Sequence, residues 1–361
     1  MLIKILEKLV SFQTTPNNFK EKKKAVFWIL KLLKKYPLHL KYFEFGGHPS
    51  LVAFPKNKST KIILAAHLDV VAAPLELFRL KIKKGKIFGR GVLDMKFAIA
   101  CYLRLIEELK NNLGKLNFAI MITSDEEIGG FWGTKKLVEK GLKGKVVFLP
   151  DGGYNWKVER QAKGTWFLRI DCQGKSAHGS RPWQGAASNE RLIEFLQALK
   201  KFFPSEPCKI ANHWHRTLNI GVIKGGDVIN QVSNFSQAFL DIRFLTEKER
   251  EKIKEYLIRL QKQFHFIKVK ELILARPYEL DLRNQYVKIF LQILEKEFKR
   301  KPEFSLSHGS SDARFFWEKK IPVILVAPKG GGHHSEKEWL DVKDLERYYF
   351  LLKKFILESL F

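Results

Sequence analysis

Apolar and polar positions change period along this chain in a way that divides it into three stretches. In the first, short continuous apolar runs alternate with segments of helical period. Leu2, Ile5, Leu6 and Leu9 share one helical face among Lys4, Glu7 and Lys8, and Ala25, Phe27, Trp28, Leu30, Leu32 and Leu33 recur among lysines over 20–36. Helices are predicted there, over 97–111, and over 131–140 with Gly141 placed to cap its end. Runs at 38–45, 51–54, 61–66, 116–122 and 146–150 read as strands, and 80–82 with 86–88 flank Gly85 as a hairpin. Such alternation predicts an α/β domain with a largely parallel sheet. The period then shortens to two over 165–172. A helix over 189–203, strands over 217–222 and 238–244, a helix over 247–261 and a strand over 266–269 complete a β-α-β-β-α-β order, the ferredoxin-like arrangement. Strand and helix patterns resume from Asn284. The expected architecture is therefore a discontinuous α/β domain, residues 1–163 and 274–361, with a small α+β domain inserted at 164–273.

Chemistry gathers where the apolar runs stop. The run at 116–122 leads into Asp125, Glu126 and Glu127, three acids whose mutual repulsion favours protonation of at least one unless a cation is near. The run at 61–66 leads into His67 and Asp69, and that at 146–150 into Asp151. A fourth, at 321–327, leads through glycines into His333 and His334. One acid after a strand is usually a turn residue. Four such endings that bring imidazole and carboxylate to one sheet edge, where α/β sheets bind ligands, point to a divalent-metal site.

Composition narrows the picture in two places. The three cysteines, Cys101, Cys172 and Cys208, are widely separated and odd in number, with no C-x-x-C pair, so neither a disulfide framework nor a cysteine zinc site is indicated, and a reducing cytoplasm fits. The formal net charge is +27. The basic residues are spread along helical faces, and no nucleic-acid-binding motif accompanies them, so a solvated surface is expected and not a dedicated polyanion site. No apolar run approaches the ~18 residues of a membrane span, and the charged N-terminal helix does not read as a signal peptide.

Four motifs then carry a resemblance: His67-Leu68-Asp69-Val70-Val71, Gly89-Arg90-Gly91-Val92-Leu93-Asp94-Met95-Lys96, Thr123-Ser124-Asp125-Glu126-Glu127, and His334 ahead of Glu338-Trp339. In order and spacing they resemble the two-zinc amidohydrolase and peptidase family of succinyl-diaminopimelate desuccinylase, acetylornithine deacetylase, aminoacylase, glutamate carboxypeptidase and carnosinase-type dipeptidases. The resemblance implies two divalent ions, zinc with cobalt or manganese as alternatives. It makes Asp94 their bridge, His67 and Asp151 the other ligands of one ion, and Glu127 and His334 those of the second. Asp69 would orient the His67 ring, Glu126 would be the general base, and the Asp94–Met95 peptide would be cis. In the inserted domain, residues 174–182 resemble the lid motif in which His178 steadies the oxyanion. Asn230 and Arg243 would grip a substrate carboxylate, the Ser310-Ser311 stretch resembles a further substrate loop, and the inserted domain would form a homodimer.

Departures bear on substrate choice. Phe97, Ser233 and His308 replace residues usual at those places in the family. Asp151 stands where deacylases and carboxypeptidases of the family usually carry Glu, which favours short peptides over N-acyl amino acids, whereas residues 301–314 look like the desuccinylase type. An inactive scaffold of the same fold is the competing class, and the intact ligand set opposes it. Arg243 also admits an ordinary strand ion pair. His213 and His215, two apart with no third ligand evident, read as structural or solvent-facing.

Overall fold

The computed structural model describes residues 1–55, 60–205 and 208–360. They form two compact units. Met1–Arg160, Glu279–Ser305 and Ser311–Phe361 make the first, and Gln161–Tyr278 with Leu306–Ser310 the second.

A six-stranded sheet organises the first unit, in the order Leu38–Phe45, His48–Pro55, Phe118–Thr123, Ile62–His67, Val146–Phe148 and Val323–Ile324. The first three strands pair antiparallel. From Phe118–Thr123 onward every pairing is parallel. Ile62–His67, Phe118–Thr123 and Val146–Phe148 are buried at every position, as strands of a sheet covered on both faces are. Helix Leu2–Ser11 buries Leu2, Leu6, Leu9 and Val10, the face its spacing predicts. Helix Lys96–Glu108 is buried from Lys96 through Leu103, which its nearly continuous apolar sequence allows. The last part of the chain completes this core. The Phe148 ring lies 5.0 Å from Phe290 on helix Gln285–Phe298 and 5.5 Å from Phe355 on helix Val342–Leu360.

Two local expectations shift. The helix expected over 131–140 is confined to Thr134–Glu139, because the Trp132 N–H donates to the Asp125 carboxylate at 2.7 Å and holds residues 131–133 in the turn after the strand. The run at 321–327 pairs only at Val323–Ile324. Beyond it, the Leu325 carbonyl accepts from Glu159 and the Ala327 N–H donates to the Gly153 carbonyl, so the chain bonds to the segment after Asp151 instead.

The second unit has the strand and helix order β-α-β-β-α-β. Its antiparallel sheet runs Thr217–Gly225, Phe235–Phe244, Gly164–Gln173, Ile267–Ala275. Trp166, Leu168, Ile170 and Cys172, alternate residues of one strand, pack with Phe195 and Leu199 of helix Ser188–Lys200 and with Ile253 and Leu257 of helix Glu247–Gln263. Among the described residues no helix is long and apolar enough to cross a membrane.

Candidate active site

Four neighbouring parallel strands of the first unit, those ending at Thr123, His67, Phe148 and Ile324, finish on one sheet edge, and the residues just beyond them supply the site. His67 is the last residue of its strand. Glu126 and Glu127 open a single helical turn, Glu126–Ile128. Asp151 follows Phe148 by three residues, and His334 lies between the short strands Gly330–Gly331 and Trp339–Asp341, at φ 62°. Asp94 comes from the loop that enters helix Lys96–Glu108, and its peptide bond to Met95 is cis.

Asp94 sits between the two histidines. Its Oδ1 is 3.0 Å from His67 Nε2, and its Oδ2 is 2.9 Å from His334 Nε2. Asp151 Oδ1 lies 3.9 Å from the same His67 nitrogen, and Glu127 Oε2 lies 3.2 Å from that of His334. One atom each from His67, Asp94 and Glu127 lies within 4.8 Å of the others, as does one each from His67, Glu126 and Asp151. His333 points elsewhere, its ring stacked on Tyr154 at 4.9 Å.

The electrostatics are those of a cation-binding cluster. Four carboxyl groups face two imidazoles. Burial alone would raise the Asp94 pKa, but the hydrogen bonds from His334 and His67 outweigh it and hold it well below the usual range. Its hydrogen bonds to Asp94 and Glu127 push His334 up to about 10. Burial would lower His67, yet Asp94, Asp151 and Asp69 together hold it well above its ordinary value. Burial, reinforced by neighbouring acids and only partly offset by His67, pushes Asp151 up to about 7. Burial and the Asp151 charge push Glu126 well above the carboxylate range. Asp151 Oδ2 is buried with no hydrogen-bond partner. Divalent ions would displace these protons and occupy that orphaned oxygen, and imidazole with carboxylate is a donor set they accept, so the residues fit them.

Asp69 meets the His67 ring through its main chain. The His67 Nδ1–H donates to the Asp69 main-chain carbonyl at 3.0 Å, and the carboxylate is farther, at 3.6 Å. That carboxylate instead accepts from the Glu126 and Glu127 N–H groups at 3.2 and 3.0 Å. It therefore fixes the turn that carries both glutamates.

Glu338 went without a role in the sequence. It is buried and accepts from the N–H groups of Gly91, Leu93 and Asp94 at 2.9, 2.8 and 3.2 Å, and from Arg90 at 2.8 Å. Arg90 also donates to the His334 and Ser335 carbonyls. The signal available in the sequence was a glutamate four residues after His334 beside an apolar Trp-Leu pair.

A profile of peptidase family M20/M25/M40 matches residues 63–358. The chain belongs to that family. It is 28% identical over 397 residues to succinyl-diaminopimelate desuccinylase of Rickettsia felis, a match covering 100% of both chains. Its fold resembles aminopeptidase PepT from Bacillus cereus, with TM-score 0.78 and 20% identity over 98% of this chain and 97% of that one. It also resembles a Bacillus subtilis protein described as a dinuclear metal binding peptidase of family M20, with TM-score 0.71 and 13% identity over 99% and 97%. This M20-family chain is a hydrolytic enzyme of a metal-dependent family.

The remaining expected residues of this family member lie mostly in the second unit. His178 is exposed and pairs with Gln231 in an isolated bridge, and the Asn230 carbonyl accepts from Gly179 at 2.7 Å, so the His178 and Asn230 loops are joined. The Ser180 N–H donates to His178 Nδ1 at 3.2 Å, and the Ser180 hydroxyl lies 2.8 Å from the same nitrogen. Arg243 is engaged on its own strand. Nε and Nη2 donate to the Asp241 carboxylate at 2.7 and 3.0 Å, and Nη1 donates to Thr165. Ser310 belongs to the second unit and Ser311 to the first, where the Ser311 hydroxyl accepts from Ala313 at 3.4 Å.

Proposed function

We propose that this hydrolase cleaves an amide bond in short peptides or N-acyl amino acids that bear a free carboxylate, with two divalent ions as cofactors. The observation that carries the reading is the position of Asp94. Each of its oxygens faces a separate histidine–carboxylate pair, His67 with Asp151 and His334 with Glu127. Those five residues would hold the ions, and zinc suits their donors, with cobalt or manganese as substitutes. When bound, such a pair polarises a carbonyl and lowers the pKa of water toward neutrality.

The remaining work belongs to the chain. Glu126, whose backbone Asp69 fixes, takes a proton from the attacking water and returns it to the leaving nitrogen. His178 donates to the oxygen that becomes negative in the transition state. Asn230 and Arg243 take the substrate carboxylate. That grip requires the Asp241 carboxylate to share or release the Arg243 fork, since both bidentate donors are now on Asp241. The second unit serves as lid and as dimerisation surface.

Asp151 favours a short peptide, because its shorter side chain leaves room for a substrate amine. The full-length likeness to a succinyl-diaminopimelate desuccinylase favours an N-acyl amino acid. One leaving amino acid, offered with a free aminoacyl, an acetyl or a succinyl group, separates the two. A higher kcat/KM for the aminoacyl form supports the peptide reading, and a higher value for an acylated form reverses it. Hydrolysis of none of the three, in metal-loaded protein, would overturn the assignment of small carboxylate-bearing amides.

A further inference from the structure

The segment joining helix Ser188–Lys200 to strand Thr217–Gly225 brings a thiol and two imidazoles together. Cys208 Sγ lies 3.1 Å from His213 Nδ1 and 2.9 Å from His215 Nε2. One ligand atom from each residue falls within 4.8 Å of the other two. All three residues belong to the second unit, whereas His67, Asp94, Glu126, Glu127, Asp151 and His334 belong to the first. The turn holding them has Asn212 and His213 at φ 54° and 48°.

We propose that Cys208, His213 and His215 form an additional metal site, selective for zinc or another divalent ion that takes thiolate and imidazole. The donor set is borderline-soft, unlike the carboxylate-rich cluster of the first unit. The His215 Nδ1–H donates to the Arg216 carbonyl at 2.8 Å, which leaves the Nε2 lone pair aimed at the sulfur. Histidines that bind metal are oriented by this kind of outer hydrogen bond. Lys163, between strands Val158–Ala162 and Gly164–Gln173, donates to the His213 and His215 carbonyls at 3.0 and 2.6 Å, so the backbone carrying both rings is fixed from outside its own segment. Zinc–sulfur and zinc–nitrogen bonds of about 2.3 and 2.0 Å at a tetrahedral angle put S and N about 3.5 Å apart. The three side chains therefore need to separate by only about half an ångström. His215 is buried, Cys208 half-buried and His213 exposed, so an ion can reach the cluster at its His213 end. Bound there, the ion would staple a segment in which Ala211–His213, a short helical turn, is the only regular structure among the described residues.

Cobalt tests this without reference to activity. Among the residues of the first-unit cluster none carries sulfur, and the other two cysteines, Cys101 and Cys172, are fully buried. A thiolate-to-cobalt charge-transfer absorption can therefore arise only at Cys208. Full-length protein, stripped of metal and titrated with cobalt, should develop that absorption to one equivalent, and zinc should bleach it. Cys208→Ser should abolish it and lower bound zinc by one equivalent per chain. His213→Ala changes an exposed residue and should weaken the cobalt that gives the band by at least the roughly 10–100-fold that loss of an outer partner costs. Absence of the band in wild-type protein at saturating cobalt, or its persistence in Cys208→Ser, would overturn the site.

Discussion

Arg90 donates to Glu338 across 2.8 Å with both side chains buried, and this pair ties the loop that carries Asp94 to the loop that carries His334. Glu338 receives three backbone N–H groups as well, so its removal leaves an uncompensated guanidinium and three unmatched donors. Glu338→Ala should lower stability by about 3–5 kcal/mol. Urea unfolding of chelated protein checks this, and a loss below about 1 kcal/mol would show that the pair does not hold the two loops.

Glu126 is the expected proton carrier, and its neighbour Glu127 the expected ligand. Glu126→Gln keeps the shape and removes the basicity. Metal content should stay at the wild-type value while kcat falls at least ~10²-fold. Loss of metal in this variant would exchange the roles of the two glutamates.

His178 should matter only when charge develops on the carbonyl oxygen. His178→Ala should lower kcat with little change in KM, since its partner charge exists only in the transition state. Mixing His178→Ala with Glu126→Gln subunits should restore part of the activity if the histidine serves a partner's site. No recovery after verified subunit exchange would place its action within one chain.

Much of the first-unit cluster was legible because parallel strands end abruptly. His67 ends a strand that is buried at every position, and Glu126, Glu127 and Asp151 lie just beyond two more, so the polar residues at the strand ends mark the sheet edge. What was not legible depends on the chain folding back. The helix start at Thr134 depends on an Asp125 carboxylate seven residues before Trp132, which no periodicity encodes. The roles of Arg90 and Glu338 depend on a contact across 248 positions. Cys208 reaches His213 and His215 through a turn with positive φ, so the third donor that the sequence seemed to lack was hidden by backbone geometry. Arg243 with Asp241 is the opposite case, since residues two apart on a strand share a face and their pairing could be read directly.

Glu159 offers a pH test outside the ligand set. It is buried, and that burial, with the Asp151 charge, pushes its carboxyl up to about 8 against the restraining Gly153 N–H. A pKa raised in the folded state means that its contribution is fully favourable below the unfolded value near 4.5 and is lost as pH rises toward 8. Glu159→Gln cannot ionise. In chelated protein the variant should gain on wild type by up to about 1.4 kcal/mol per pH unit across that interval. Parallel stability–pH curves for the two proteins would contradict the assignment.

Asp94 would serve both ions at once, one oxygen toward His67 and the other toward His334. Elemental analysis of zinc-reconstituted Asp94→Ala, made in a Cys208→Ser background so that only the first-unit cluster is counted, tests it directly. The parent should bind two equivalents and the Asp94→Ala protein should retain neither. Two equivalents retained in the variant would contradict the bridging role and the two-ion centre built on it.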